Sequence, residues 1–169
     1  PVDMTAVDGN SGPMRTFDVG VVLVDMPPIG FEAEPTLVTY PTTVESTGDI
    51  GWDAVNALFT TVASDGKAVN GFNLGHDGRY PAAAVNSVVV GSDMITVDID
   101  RNVWDPYPTA DGNWPGGEVV MQQLVWTLHG ALGTDLPVLL TVDGEPARGI
   151  WFHRLDGPVA AEPAMEPAR

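Results

Sequence analysis

The sequence has no cysteine and a single lysine, Lys67. Without thiols there is no disulfide framework, no thiolate nucleophile and no Cys-ligated zinc. Seven basic residues stand against 23 acidic ones, a formal charge of −16. Nucleic-acid binding draws on clustered Lys and Arg that replace the counterions of phosphates, so this balance excludes its ordinary modes. The same shortage excludes electrostatic docking on an anionic leaflet. No apolar run reaches the roughly 18 residues that mark a membrane-crossing helix. The residues from Pro1 onward show neither a basic n-region nor an apolar h-region, so no secretory leader is read in them. There is no internal repeat.

What remains is the composition of a folded globule. The 169 residues suit one domain. A chain of that size buries about two thirds of its unfolded surface without help from a metal or a crosslink. Hydrophobic residues make up 44% of it, with five tryptophans, well away from disordered composition. The two ends differ from the middle. Residues 1–14 are turn formers with little periodicity and read as a flexible segment. Residues 158–169, which include AAEPAMEPAR, read as an Ala/Pro/Glu-rich tail. The folded part is expected over 15–157.

Within it, residues 17–24 (FDVGVVLV) form a short β-branched run suited to a buried strand. Residues 36–43 (TLVTYPTT) read as a second extended piece, and Pro41 argues for an edge. Residues 50–63 have helical spacing, with Ala54, Val55, Leu58, Phe59 and Val62 on one face. Asp53, Asn56 and Thr60 take the other face, and Thr47 or Asp49 can cap the helix. Residues 67–84 are irregular and rich in Gly and Asn. A hairpin pairs 86–90 with 94–99 around Gly91. Residues 118–132 give the strongest helix, with Gly133 placed as its C-cap. Strands at 136–142 and 149–153 follow, separated by an Asp143-Gly144 turn. This order predicts an α/β (α+β) class: a small mixed sheet with two helices packed on one face.

Few residues carry a pattern that chemistry needs. Asp98, Asp100, Asn102 and Asp105 open like a calcium loop, D-x-D-x-N. The sixth position is Val103 where the turn needs Gly, and the twelfth is Thr109 where a bidentate Glu belongs. These four are weak candidate metal ligands and are expected to be solvated carboxylates closing a strand. Asp98 and Asp100 share a strand face, as paired glycosidase carboxylates could, but no cleft or raised pKa is signalled. His76, His129 and His153 lack metal-ligand spacing. No serine lies in a G-x-S-x-G elbow and no glycine run cradles phosphate. No catalytic residue, metal or cofactor is therefore assigned, and an enzyme is not expected.

The aromatic residues say more. On a helical wheel Trp126 lies nearly opposite the apolar centre of the second helix, near Gln122 and Gln123. A tryptophan on such a face needs a cover, from the loop at 104–114 or from a partner. That loop sets Trp104, Tyr107 and Trp114 among prolines. Trp104, Tyr107, Trp114 and Trp126 are the candidate interaction surface.

The segment 117–150 resembles the second half of the GerMN domain, a family of sporulation and spore-germination proteins. Its helix with "QLV-aromatic-TL" stands here as Gln123-Leu124-Val125-Trp126-Thr127-Leu128, followed by a hydrophobic strand at 138–142 and then Asp143-Gly144. The family's "TVD" hairpin is similar to Thr96-Val97-Asp98 after Val88-Val89-Val90-Gly91. In the same order, 52–59 and 19–24 match the family's upstream helix and opening strand. The resemblance implies a fold similar to ring-building motifs and an extracytoplasmic place, secreted or on a lipoprotein. It also implies protein partners in the cell envelope with possible self-association, and no catalytic residue. The alternative reading of the residues is a cell-surface domain that binds glycan or weak calcium through the acidic, aromatic region 98–118.

Overall fold

The computed structural model describes residues 15–25, 34–61, 68–73, 84–103, 116–150 and 153–168. β1 (Thr16–Asp25) runs antiparallel to β2 (Thr36–Glu45), with Thr16 opposite Glu45 and Asp25 opposite Thr36. Its continuous apolar run has a physical reason: it is buried on both faces. Val19, Val21 and Leu23 enter the main core, whereas Val22 and Val24 enter a second cluster with Leu37, Trp126 and Met165.

α1 (Ile50–Thr60) starts at Asp49, whose carboxylate accepts the Trp52 N–H at 2.9 Å. Asp53, expected on the polar face, is instead buried and accepts the Thr47 N–H and hydroxyl. The carboxylate thereby folds the entering chain back over the first turn, an N-terminal position that the helix dipole favours. At the other end the buried Asn70 amide donates to the carbonyls of Leu58 and Thr61 at 2.6 and 2.8 Å. Asn70 follows β3 (Ala68–Val69), a two-residue strand beside the end of β1.

β4 (Val85–Val90) and β5 (Ile95–Ile99) form the expected hairpin. α2 (Gly117–Leu132) then crosses over to β6 (Val138–Val142), which pairs parallel with β5. A parallel neighbour needs such a crossover. Gly117 is required where the helix begins, because a Cβ there would overlap the Ile150 carbonyl oxygen. Gly133 ends the helix in the left-handed region and returns its N–H to the His129 carbonyl, as a C-cap does. β7 (Glu145–Pro146) turns back on β6, and β8 (Gly149–Ile150) pairs with β9 (His153–Arg154).

The strands are divided among a three-stranded sheet (β2-β1-β3), a four-stranded mixed sheet (β4-β5-β6-β7) and the β8-β9 pair. The architecture is α+β. α1 packs on α2, β4, β1 and β2, while α2 packs on β1, α1 and β8. No helix among the described residues is long and apolar enough to cross a membrane.

Residues 158–168, read from composition as a tail, lie against this frame as a strap. Val159 exchanges two backbone hydrogen bonds of 2.8 Å with Val138. Gln122 then reads the strap backbone, donating to the Ala160 carbonyl and accepting the Glu162 N–H, each at 2.9 Å. Met165, in a short 3-10 turn at Pro163–Met165, packs on the second cluster. Ala168 bridges the outer edge of β2 between Leu37 and Thr39. Backbone polar groups and one apolar anchor hold the strap, which explains why hydrophobic periodicity does not reveal it.

Candidate functional site

Asp98 sits mid-strand in β5, half-buried on the sheet face away from Val97 and Ile99. Its Oδ1 accepts the Thr141 hydroxyl and the Gly144 N–H, both at 2.7 Å, and its Oδ2 accepts from the Asn86 amide at 2.9 Å. Burial pushes its pKa up, but these bonds and one to the Ile99 backbone outweigh burial and hold the carboxyl below its usual 3.8. The turn it anchors has Asp143 and Gly144 at φ of 53° and 81°, the pattern of a type I′ hairpin. Asp98 is thus engaged in holding β5, β6 and their turn together.

The other calcium-loop candidates do not join it. Asp100 Oδ1 accepts from the backbone and side-chain nitrogens of Asn102, closing its own local turn. Asp105 lies outside the described residues. Among the described residues no three His, Asp or Glu side chains gather as metal ligands. His129 Nε2 lies 2.8 Å from the Leu136 carbonyl just past the helix end.

The polar residues of the "QLVWTL" segment are also structural. Where β3 stops, the edge of β1 is open, and α2 lies along it. Thr127 Oγ1 accepts the Val22 N–H at 3.0 Å, and Gln123 Nε2 donates to the Val22 carbonyl at 2.9 Å. Gln123 Oε1 accepts the Gly71 N–H at 3.0 Å. Side chains four apart on a helix stack on one face, so the Gln-x-x-x-Thr spacing suits a strand edge. Composition alone misses this role, since the wheel sets Gln123 opposite the apolar centre and nothing in it singles out Thr127. Both are fully buried.

Trp126 lies one step around from them, partly buried, and its cover is now visible in part. It packs against the cluster of Val22, Val24 and Leu37, as Met165 does. The His129 ring stands edge-on at 5.9 Å. Its buried indole N–H finds no hydrogen-bond partner among the described residues, a costly state for a polar group. Trp104, Tyr107 and Trp114 lie outside the described residues. Next to Trp126 opens a groove of about 420 Å³, walled by His129 and Gly130 of α2, Thr39 of β2 and Pro167 of the strap. Gly130 leaves its α2 wall open, for a Cβ there would meet nothing within 4 Å. A larger hollow of about 700 Å³ lies by Arg101, Glu145, Arg148 and Asp156, where charges of both signs balance. It contains no residue singled out from the sequence.

The Germane family model, described as sporulation and spore germination, matches residues 32–148. The chain belongs to the Germane family. Its fold is similar to the tandem GerMN domains of the sporulation protein GerM from Bacillus subtilis, with a TM-score of 0.56 and 15% identity. That match covers 96% of this chain and 51% of the other, so this chain spans about half of the tandem structure. It also resembles a candidate lipoprotein from Clostridium perfringens, at a TM-score of 0.50 and 10% identity over 86% of this chain and 87% of that one. No curated protein matches. The Germane match spans α1, the β4-β5 hairpin, α2 and the β6-β7 turn, and so includes Asp98, Gln123 and Thr127.

Proposed function

We propose that this Germane domain is a non-enzymatic interaction and assembly module of a cell-envelope protein, working outside the cytoplasm on a secreted or lipid-anchored chain. Membership in a sporulation and germination family supports the biological setting, and the GerM and lipoprotein neighbours support the location. The observation that carries the interaction role is the partition of side chains. Asp98, Gln122, Gln123 and Thr127 are engaged in internal hydrogen bonds. Meanwhile a groove beside Trp126 stays open. A groove with an aromatic floor next to an extended strap suits a partner protein's chain segment better than chemistry.

Gly130 gives the test, because filling the groove there leaves the core untouched. Gly130→Trp is expected to keep the melting temperature at or above that of the parent while abolishing crosslinked capture of envelope partners. Gly130→Ala is expected to retain capture and to raise stability by about 1 kcal/mol in chemical denaturation, since Gly is a poor helix interior residue. Undiminished capture by Gly130→Trp would remove the groove from the interaction surface.

A further inference from the structure

The sheet edges of the molecule are not treated alike. β2 is an edge strand, but Ala168 bridges it beside Val38, and Pro41, in the same outward phase as Thr39, has no N–H to offer a further strand. β7 is a two-residue stub ending in Pro146. β4 also ends its sheet; a bulge between Val85 and Ser87 and the Trp52 indole, which donates to the Val85 carbonyl at 3.1 Å, blunt its first residues, but residues 87–90 have none of these devices. Its six residues, VNSVVV, contain no charge, no proline and no glycine. Natural edges are normally blunted by such features, and an unprotected β-branched edge is a template for another strand.

The exposed apolar side chains gather at the same place. Val89 at 58%, Val90 at 52% and Ile50 at 47% are the exposed large hydrophobics among the described residues. Ile50 precedes Gly51, whose backbone packs on Val88. In a chain of net charge −16 this strand is free of carboxylates along its length, so two copies can meet here with the least like-charge repulsion.

The ladder phase fixes the geometry. The Gly91 N–H turns inward to the Met94 carbonyl, and the Ile95 N–H turns away from β4 to the Pro137 carbonyl. Val90 lies opposite Ile95 and Val88 opposite Val97. The N–H and C=O groups of Val88 and Val90 therefore point outward, since backbone groups alternate along a strand. We propose that the β4 edge pairs with the β4 edge of a second copy, antiparallel about a two-fold axis at Val89. Val88 then exchanges both hydrogen bonds with Val90 of the other copy, and the reverse, so the outward groups of these two residues are met. The two Val89 side chains face each other across a non-hydrogen-bonded pair. An isologous contact of this kind is self-complementary. Its small extent places it among weak, concentration-dependent interfaces. It uses a different surface from the Trp126 groove, so either proposal can fail without the other.

The absence of native cysteine makes the test clean. A non-hydrogen-bonded pair brings Cα atoms to about 4.5 Å, within disulfide reach. Under mild oxidation, Val89→Cys in the 169-residue chain is expected to form a covalent dimer roughly tenfold faster than the exposed control Ala164→Cys, because pairing raises the local thiol concentration. Equal rates overturn the proposal. Sedimentation velocity of the unmodified chain is expected to show a monomer–dimer equilibrium that strengthens with salt. Val89→Lys should weaken it, although it lowers the net negative charge. A monomer at about 1 mM in high salt, or a dimer untouched by Val89→Lys, also overturns it. Should Val89→Lys lose its cooperative melt, Val89→Thr keeps the β-branched shape and is expected to weaken the dimer in the same direction; an unchanged dimer counts against the edge.

Discussion

Val22 shows what single residues do in this fold. Its N–H and C=O face a strand edge where no further strand arrives, and α2 supplies a hydroxyl and an amide in place of one. A buried backbone group left without a partner costs about 1–3 kcal/mol. Thr127→Val keeps the shape and removes the acceptor, so urea denaturation should show a loss of about 1–3 kcal/mol. Gln123→Leu removes the bonds to both the Val22 carbonyl and the Gly71 N–H, and its loss should be the larger, about 2–4 kcal/mol. A loss below about 0.5 kcal/mol in both would mean that water enters and replaces them. Asp98 yields a pH prediction. Its folded pKa lies below the ordinary 3.8, so its ionised form is favoured by folding. The stability it contributes is present above the unfolded value and is lost as pH falls through the lower folded one. Asp98→Asn should therefore be less stable than the parent at neutral pH, with a gap that closes as the pH falls below 3.8. A gap that persists unchanged in acid would contradict the assignment.

At the scale of elements, what was legible depended on which force builds the element. Both helices, the β4-β5 hairpin, β1 and the Gly133 cap follow from apolar periodicity and turn chemistry, and the structure has them within a residue or two at most ends. α1 ends at Thr60, short of the expected 63, with Asn70 closing it from a distant turn. β3 and β7 are two residues each and exist through pairing with a longer strand, which no local pattern announces. The strap is the clearest case. Pro and Glu spacing reads as linker, yet Gln122 and the edges of β2 and β6 hold its backbone. Of the residues singled out for an interaction surface, Trp126 is the one among the described residues. The wheel marks its odd face, but the nature of its cover depends on tertiary contacts. Gln122→Ala removes both central hydrogen bonds of the strap. Amide exchange at Val159 and Ala168 should then accelerate about tenfold, with β1 amides unchanged. Equal protection in the variant would show that the two ends of the strap suffice.

At the scale of the whole molecule the governing quantity is charge. The two ion pairs among the described residues, Arg101 with Asp143 at 3.9 Å and Arg154 with Asp156 at 2.6 Å, are both exposed. Pairs of that kind contribute about 0–1 kcal/mol each, and salt weakens them. Against them stands the mutual repulsion of a −16 chain, which the same salt screens. Seven basic residues can answer only a minority of 23 acidic groups, so repulsion outweighs the attractions. Raising the salt from about 0.01 M to 0.5 M, where the Debye length falls from about 30 Å to a few ångströms, should therefore stabilise the fold. For a domain of this size a gain of about 1 kcal/mol appears as a rise of about 2–4 °C in Tm. Dimerisation through β4 would add its own salt-dependent gain by mass action. The measurement is therefore made on Val89→Lys as well as the parent, at two protein concentrations. A rise common to both chains and independent of concentration is the screening of internal repulsion. A further rise confined to the parent and growing with concentration reports the edge contact. A fall in Tm with salt in both chains would mean that the few exposed pairs outweigh the repulsion.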